Sequence, residues 1–319
     1  MKVLIIGIAG FAGSHLAELL LHEKSLGVYG LVRKGTPPHN LKAFKSKLRL
    51  SSGDMLDAKE MRKLLQKIKP DIIYHLAAQS ASKKAWEHPA QTLETNILGT
   101  LNILEAMRSL KTSPVIQVVG SSEEYGLIQK SQIPIKETTA LNPITPYGVS
   151  KVAQDLLARQ YHHSFGLKIV RTRAFSHFGP RQSCDFAASN FAKQVAMIET
   201  GKTKPVIYTG NLDTVKDFTD VRDVVKAYVL AAHKGTPGEV YNICRGQGHA
   251  IHEIVDFYLE EAHCRIKIKK DLKRLRPDEN PPIVGDPRKF FLKTGWKPKI
   301  AFKESLLDIL NYWRAQVAA

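Results

Sequence analysis

Cysteine is scarce in this chain: there are three, at positions 184, 244 and 264, far apart and without a C-x-x-C pair. That spacing argues against a disulfide framework or a zinc ribbon and fits a reducing compartment. Long apolar runs are missing too. The opening V-L-I-I-G-I-A-G is shorter than a signal-peptide core and is broken by glycine. Nothing later approaches the roughly 20 apolar residues that a membrane span needs. A soluble, cytoplasmic protein with no membrane partner is expected. Acidic residues are outnumbered, 30 Asp+Glu against 47 Lys+Arg, which leaves a formal charge of +17. The surplus points to an anionic partner, whether nucleic acid, an acidic lipid surface or a phosphorylated small molecule, and composition does not choose among them. With 43% hydrophobic and 24% charged residues, wholesale disorder and collagen-like repeats are excluded. At 319 residues the chain suits two domains or one large α/β domain.

What is present is an alternation. Short apolar runs at 2–6, 28–32, 48–51, 72–75, 115–120 and 168–172 read as strands, and amphipathic stretches at 14–24, 58–68, 92–110 and 147–165 read as helices. Runs such as V-L-I-I and V-I-Q-V-V lack polar alternation, which suits strands buried on both faces of a parallel sheet. The expected fold is α/β, a doubly wound parallel Rossmann sheet. After Ala174 the rhythm changes, with G-P-R-Q, K-G-T-P-G-E and L-R-P-D-E-N-P-P, while apolar segments persist at 206–208, 221–232, 240–243 and 254–262. This pattern predicts a smaller C-terminal substrate-binding lobe. The expected division is 1–173 plus a returning segment at about 214–243 for the dinucleotide domain, and 174–213 with 244–319 for the lobe.

Gly7, Gly10 and Gly13 follow the first strand directly and open the first helix. One glycine permits the tight turn, the next lets backbone approach a pyrophosphate, and the third lets the helix pack close with its N-terminal N–H groups toward the phosphates. The spacing is G-x-x-G-x-x-G rather than the commoner G-x-G-x-x-G. At the end of the second strand, where a carboxylate would bond the adenosine ribose, the chain has Arg33 and Lys34. A guanidinium suits a 2′-phosphate, so NADP(H) is the expected cofactor and NAD(H) the alternative. Asp54 and Met55, after the third strand, are candidate adenine contacts.

Tyr147 and Lys151 stand four residues apart in P-Y-G-V-S-K, on one face of a predicted helix. A phenol with a normal pKa near 10 is a poor acid–base group at neutral pH, and a nearby ammonium is expected to lower it. Ser121, at the end of the fifth strand, would hydrogen-bond the reacting oxygen. Tyr-x-x-x-Lys pairs are common on amphipathic helices; the glycine loop and the serine at a strand end are what make this one chemical.

The glycine loop, H-L-A-A-Q (75–79), G-S-S-E-E-Y-G (120–126) and P-Y-G-V-S-K (146–151) together resemble the extended short-chain dehydrogenase/reductase family, nucleotide-sugar branch. The likeness covers essentially the whole chain. R-T-R-A-F-S-H-F-G-P-R-Q (171–182) and G-N-L-D-T-V-K-D-F-T-D-V-R-D (210–223) are most similar to the GDP-4-keto-6-deoxy-D-mannose reductases, which form GDP-D-rhamnose. The resemblance implies Ser121 as the catalytic hydroxyl, Tyr147 as proton donor and Lys151 as its tuner and a holder of the nicotinamide ribose. It implies a cofactor carried by Gly7, Gly10 and Gly13 with the backbone of Phe11 and Ala12, flanked by Leu76 and Ala77. Toward the substrate it implies Ser176 and His177 near the nicotinamide and sugar and Lys193, Lys216 and Arg276 at the diphosphate, with Ser80 and Glu279 as further substrate contacts. The family usually has Asn where this chain has Ser176, and Arg where it has Lys216; the lysine keeps the charge and loses the bidentate fork.

Glu123 lies where related 4,6-dehydratases keep a proton-abstracting glutamate, and general acid–base work is open to it. The reading of the residues therefore leaves two enzyme classes, a reductase and a dehydratase or epimerase. A third possibility is a non-catalytic cofactor- or RNA-binding protein using its basic surface. The run 264–276 has seven Lys or Arg and one acid, but 265–269 alternates like an exposed edge strand guarded by lysines, and no nucleic-acid motif accompanies it. No metal is expected: His162 and His163 are adjacent and His249 and His252 lack a metal-site pattern. By resemblance, the helices at 92–110 and 147–165 would pair with their counterparts in a homodimer, although core burial explains the same apolar stripes.

Overall fold

The structure, a computed structural model, describes residues 1–110, 112–271 and 282–318. Arg276 and Glu279 lie outside the described residues. The first six strands are β1 (Lys2–Ile6), β2 (Gly27–Arg33), β3 (Arg49–Gly53), β4 (Ile72–His75), β5 (Val115–Ser121) and β6 (Lys168–Ala174). The later ones are β7 (Ser176–Phe178), β8 (Val206–Thr209), β9 (Val215–Asp220), β10 (Val240–Ile243), β11 (Gly248–Ala250) and β12 (Lys267–Lys270). Seven of them form one all-parallel sheet in the order β10-β6-β5-β4-β1-β2-β3. Along β1 the side chains alternate between two cores. Val3 and Ile5 pack with Leu16, Val224 and Tyr228 on one face, and Leu4 and Ile6 with Leu65, Ile103 and Ala158 on the other. Both faces are covered, which is why the strand reads as an unbroken apolar run.

The covering helices are α1 (Phe11–Leu21) and α2 (Ala58–Ile68), then α3 (Ser82–Glu87) and α4 (Pro89–Leu93). A π turn (Glu94–Leu98) leads into α5 (Gly99–Arg108), followed by α6 (Pro146–Phe165), α7 (Ala187–Glu199) and α8 (Val221–Lys234). Helix α1 begins at Phe11, three residues before the predicted start, because Gly10 serves as its N-cap and the glycine loop is itself the first turn. The single helix predicted over 92–110 is broken by the π turn. There Asn96 is buried, accepting from Gln79 N (2.8 Å) and donating to Gln79 O (3.2 Å) and Ser150 Oγ (2.8 Å). The bulge turns a polar side chain inward to tie the β4 exit to α6, a use to which π-bulges are often put.

The smaller lobe holds the sheet β11-β9-β7 and the pair β12-β8, with α7, α9 (Ile251–Glu260) and α11 (Phe302–Ala318). Its core joins Phe178, Phe191, Phe218, Tyr258 and Ile309. Two segments lie otherwise than predicted. Strand β9, assigned from sequence to the returning segment, pairs with β7 and β11, so only α8 and β10 return to the large sheet. Conversely α10 (Arg288–Thr294) and the few residues just after it serve the large lobe, since Phe290 packs against Tyr241 and Trp296 in its core. Apolar side chains follow the surface that buries them, and sequence order does not reveal which surface that is. Lys267–Lys270 is indeed an exposed strand at the edge of its two-stranded sheet.

His75, fully buried at the end of β4, gives a testable pH dependence. Thr100 Oγ1 donates to Asn96 O (2.7 Å), so its oxygen accepts from His75 Nε2 (2.9 Å), and Nδ1 is left buried without a partner among the described residues. Burial, then the Lys151 charge, pushes the pKa down to about 3. The folded value lies below the unfolded one, so this contribution is complete above pH 6.5 and is lost as pH falls toward 3. Other buried groups, such as Asp217, add slopes of their own, and a difference isolates this one. His75→Gln is expected to lose less stability than wild type between pH 6.5 and 5.5 in urea unfolding, by about 1 kcal/mol. Parallel curves would remove the assignment.

Candidate active site

Two turns meet where the strand order reverses, between β1 and β4. Gly7 has φ +93°, and a Cβ there would stand 2.7 Å from Ala77 N and 3.0 Å from the Leu76 carbonyl carbon. A Cβ on Gly13 would lie 2.1 Å from Gly7 O. The glycines thus let the turn close on the β4 exit and on its own helix. Gly10 N donates to Gly7 O (3.0 Å) and Ser14 N to Gly10 O (3.0 Å). The N-terminus of α1 faces the crevice at the carboxyl ends of the strands, the place where open α/β sheets take ligands. This bare-backbone cradle fits a dinucleotide pyrophosphate. Phe11 and Ala12 pack partly buried against the core beneath it.

Arg33 ends β2 with its side chain 63% exposed and 3.8 Å from Asp54 Oδ2, a long, solvent-screened pair. Lys34 is ion-paired to Glu60 instead, so of the two basic residues Arg33 is the one turned to the loop after β3. Asp54 also accepts from Leu56 N (3.0 Å), while Met55 is buried against Gly99.

At the neighbouring strand end, Ser121, Tyr147 and Lys151 come together as the spacing predicts. Thr145 caps α6, accepting from Gly148 N (2.9 Å), and Pro146 occupies the first turn, so Tyr147 is fixed at the helix start. The Ser121 hydroxyl lies beside the Tyr147 phenol, where it favours the ionised form. Tyr147 is 8% exposed. Burial and, after it, the Glu123 charge hold its pKa well above the usual phenol value. That corrects the expectation of a lowered one. Lys151 Nζ donates to Val119 O (2.7 Å) and Gln154 Oε1 (2.6 Å) and lies 5.9 Å from the Tyr147 ring centroid, so its hydrogen bonds go elsewhere. Burial in turn depresses the lysine pKa. The phenol is therefore kept as a proton-bearing acid. Glu123 Oε2 accepts from Thr145 Oγ1 (3.0 Å), which ties that carboxylate to the α6 cap.

Beneath this group lies a set of buried ions that the sequence motifs do not single out. Glu124 accepts from Ser121 N (2.7 Å) and Arg173 Nε (3.1 Å). Arg173 Nη2 donates to Asp155 Oδ2 (2.7 Å), and Arg171 Nη1 to Asp155 Oδ1 (3.1 Å). Signals existed: Asp155 follows Lys151 by one helical turn, and R-T-R alternates into a strand face. Asn96 left no comparable mark.

From the smaller lobe, His177 stacks on Phe11 (5.8 Å between centroids, 6° between planes) and is hydrogen-bonded to Phe175 O (3.1 Å). His15 Nε2 donates to Pro180 O (2.9 Å) while Arg181 Nη2 donates to His15 Nδ1 (2.6 Å), a second link from lobe to α1. Ser176 is half-buried beside His177, and Ser80 is exposed beyond the β4 exit. Lys193 is held over the Trp313 ring (5.2 Å), between α7 and α11. Lys216 lies on β9 opposite His249 and bridges to Ile283. Among the described residues no cluster of three or more His, Cys, Asp or Glu could hold a metal ion, and no helix is long and apolar enough to cross a membrane.

Residues 4–309 match the family described as GDP-mannose 4,6 dehydratase. The chain is 32% identical over 316 residues to GDP-6-deoxy-D-mannose reductase of Pseudomonas aeruginosa, covering 99% of this chain and 98% of that one. It is 31% identical over 339 residues to human GDP-mannose 4,6 dehydratase, covering 97% and 90%. The solved structure of RMD from Pseudomonas aeruginosa complexed with NADPH superposes with a TM-score of 0.84 at 30% identity, covering 99% of both chains. Fold, site geometry and these matches agree: the chain belongs to the GDP-mannose 4,6 dehydratase family, in the nucleotide-sugar branch of the extended short-chain dehydrogenases/reductases.

Proposed function

We propose that this protein is an NADP(H)-preferring reductase that converts the 4-keto group of GDP-4-keto-6-deoxy-D-mannose to the hydroxyl of GDP-D-rhamnose. The observation that carries the reading is the buried, proton-bearing Tyr147 beside Ser121 and one helical turn from Lys151. Its relatedness, across nearly the full length of both chains, to a reductase of a GDP-6-deoxy sugar supports the substrate class. Arg33 supports the phosphorylated cofactor, since a guanidinium meets a 2′-phosphate with paired donors.

The glycine turn and Lys151 would hold NADPH, which when bound would supply a hydride to carbon 4. Tyr147 holds the proton that the resulting alkoxide takes, so the carbonyl gains one hydride and one proton. Ser121 is placed to orient the same oxygen, and Lys151 would hold the nicotinamide ribose. Orientation of this kind contributes roughly 7–11 kcal/mol, more than the proton transfer itself. Glu123, bonded to Thr145, serves here as part of the α6 cap, although its charge acts on Tyr147. That proximity and the family match favour 4,6-dehydration as the second reading.

Incubating the purified protein with each sugar nucleotide separates them. The expected result is NADPH consumption with GDP-4-keto-6-deoxy-D-mannose, at least tenfold faster than with NADH. Formation of keto sugar from GDP-mannose without net NADPH use would establish the dehydratase. Salt-sensitive RNA binding with no turnover of either compound would leave only a binding protein.

A further inference from the structure

Glu124 is fully buried, and it is seated on a place made for it. A Cβ on Gly120 would lie 2.3 Å from its Oε1, so the carboxylate rests on bare backbone at the end of β5. One oxygen takes the amide of Ser121 and the other takes Arg173. Lys151, Arg171 and Arg173 against Glu124 and Asp155 leave this buried group with one excess positive charge when all are ionised. Removing one of the two carboxylate charges is therefore felt by the remaining cations.

We propose that Glu124 is a positioning residue for the reaction: it sets the placement of Ser121 through its amide and supplies the counter-charge that keeps Lys151 cationic beneath Tyr147. The proposal rests on the reading of Tyr147 and Lys151 as the proton-handling pair. The surroundings are charged from every side. Helix α6 contributes Asp155, the turn after β5 Glu123, and β6 Arg171 and Arg173. Strand β4 presents the neutral His75, and α8 the phenol of Tyr228. Glu137, from the segment before α6, acts on Tyr125, which Arg173 also bonds. Burial, and after it the Asp155 charge, push the Glu124 pKa up to about 8, so its charge is in place on the alkaline side, where it favours the protonated form of both Lys151 and Tyr147. Reduction needs both protons in place, so the two effects have one sign.

The test is Glu124→Gln, which keeps an oxygen for Ser121 N and loses the charge. The midpoint of the alkaline limb of kcat should move down by about one pH unit. The variant-to-wild-type ratio would then fall about tenfold from the acidic plateau to the alkaline end. NADPH affinity, read by cofactor fluorescence from pH 6 to 10, reports the Lys151 titration without any sugar and should shift likewise. Glu124→Asp, which draws the charge back by one methylene, gives a smaller shift in the same direction and carries the test alone if the glutamine variant does not fold. Coincident profiles, or a loss uniform in pH, overturn the proposal. Absence of turnover on the keto sugar, with the binding profile still shifted, overturns the substrate assignment and leaves Glu124 in its role.

Discussion

Replacing Tyr147 with Phe should reduce turnover of the keto sugar by about a hundred- to ten-thousand-fold while NADPH binds with nearly unchanged affinity. The substitution deletes one oxygen. Its neighbour Ser121 keeps its own bond, since it still accepts from Glu123 N (3.2 Å), and the ring still fills the same space at the start of α6. Lys151 is held by Val119 and Gln154 rather than by the phenol, so it stays where it is. What disappears is the proton source. Steady-state kinetics beside a fluorescence titration of NADPH decide the matter. Retention of more than about a tenth of the rate would mean that the proton comes from elsewhere.

Gly13→Ala should be the most damaging change at the cofactor turn. Its new Cβ would fall 2.1 Å from Gly7 O and 2.9 Å from Ile8 Cα, both backbone atoms with no rotamer to escape into. The helix must lift from the turn or the turn must leave Ala77. Overpacking of this kind costs about 1–3 kcal/mol in stability, and NADPH affinity should fall more than tenfold because the N–H groups of the first turn no longer converge. By contrast Gly35 has φ +73°, and a Cβ added there would meet nothing within 4 Å. Gly35→Ala therefore serves as the comparison, bearing only the strain of its backbone conformation. Equal NADPH affinity in Gly13→Ala and wild type would remove the pyrophosphate assignment.

How much was legible beforehand depended on how local the cause was. Lys2–Ile6, Ala58–Ile68, Ile72–His75 and Val240–Ile243 fall where their apolar patterns place them, because a strand buried on both faces and an amphipathic helix write their periods directly into sequence. Ser121, Tyr147 and Lys151 were legible for a similar reason, one strand end and one helical turn. The elevated Tyr147 pKa was not, since spacing brings the ammonium near without saying where its three protons point. Asn96 was invisible because a π turn depends on what the inserted side chain meets across space. Lys193 stands in the expected lobe, and its place over Trp313 is another arrangement that only the folded chain reveals.

The core that begins with Val3 is finished by Phe290 and Trp296, which lie almost three hundred residues downstream. Trp296 Nε1 donates to Asp223 O (3.1 Å), and the amides of Lys299 and Ile300 bind the Asp223 carboxylate (2.6 and 2.8 Å). On the ribosome, then, the glycine turn and the tyrosine helix emerge early into a sheet that still lacks its outermost strand and the aromatic plug beneath it. A cut after residue 173 would leave the large sheet without β10, α8 and the Phe290–Trp296 pair. The two lobes are interleaved by the chain itself, and they gain their stability together.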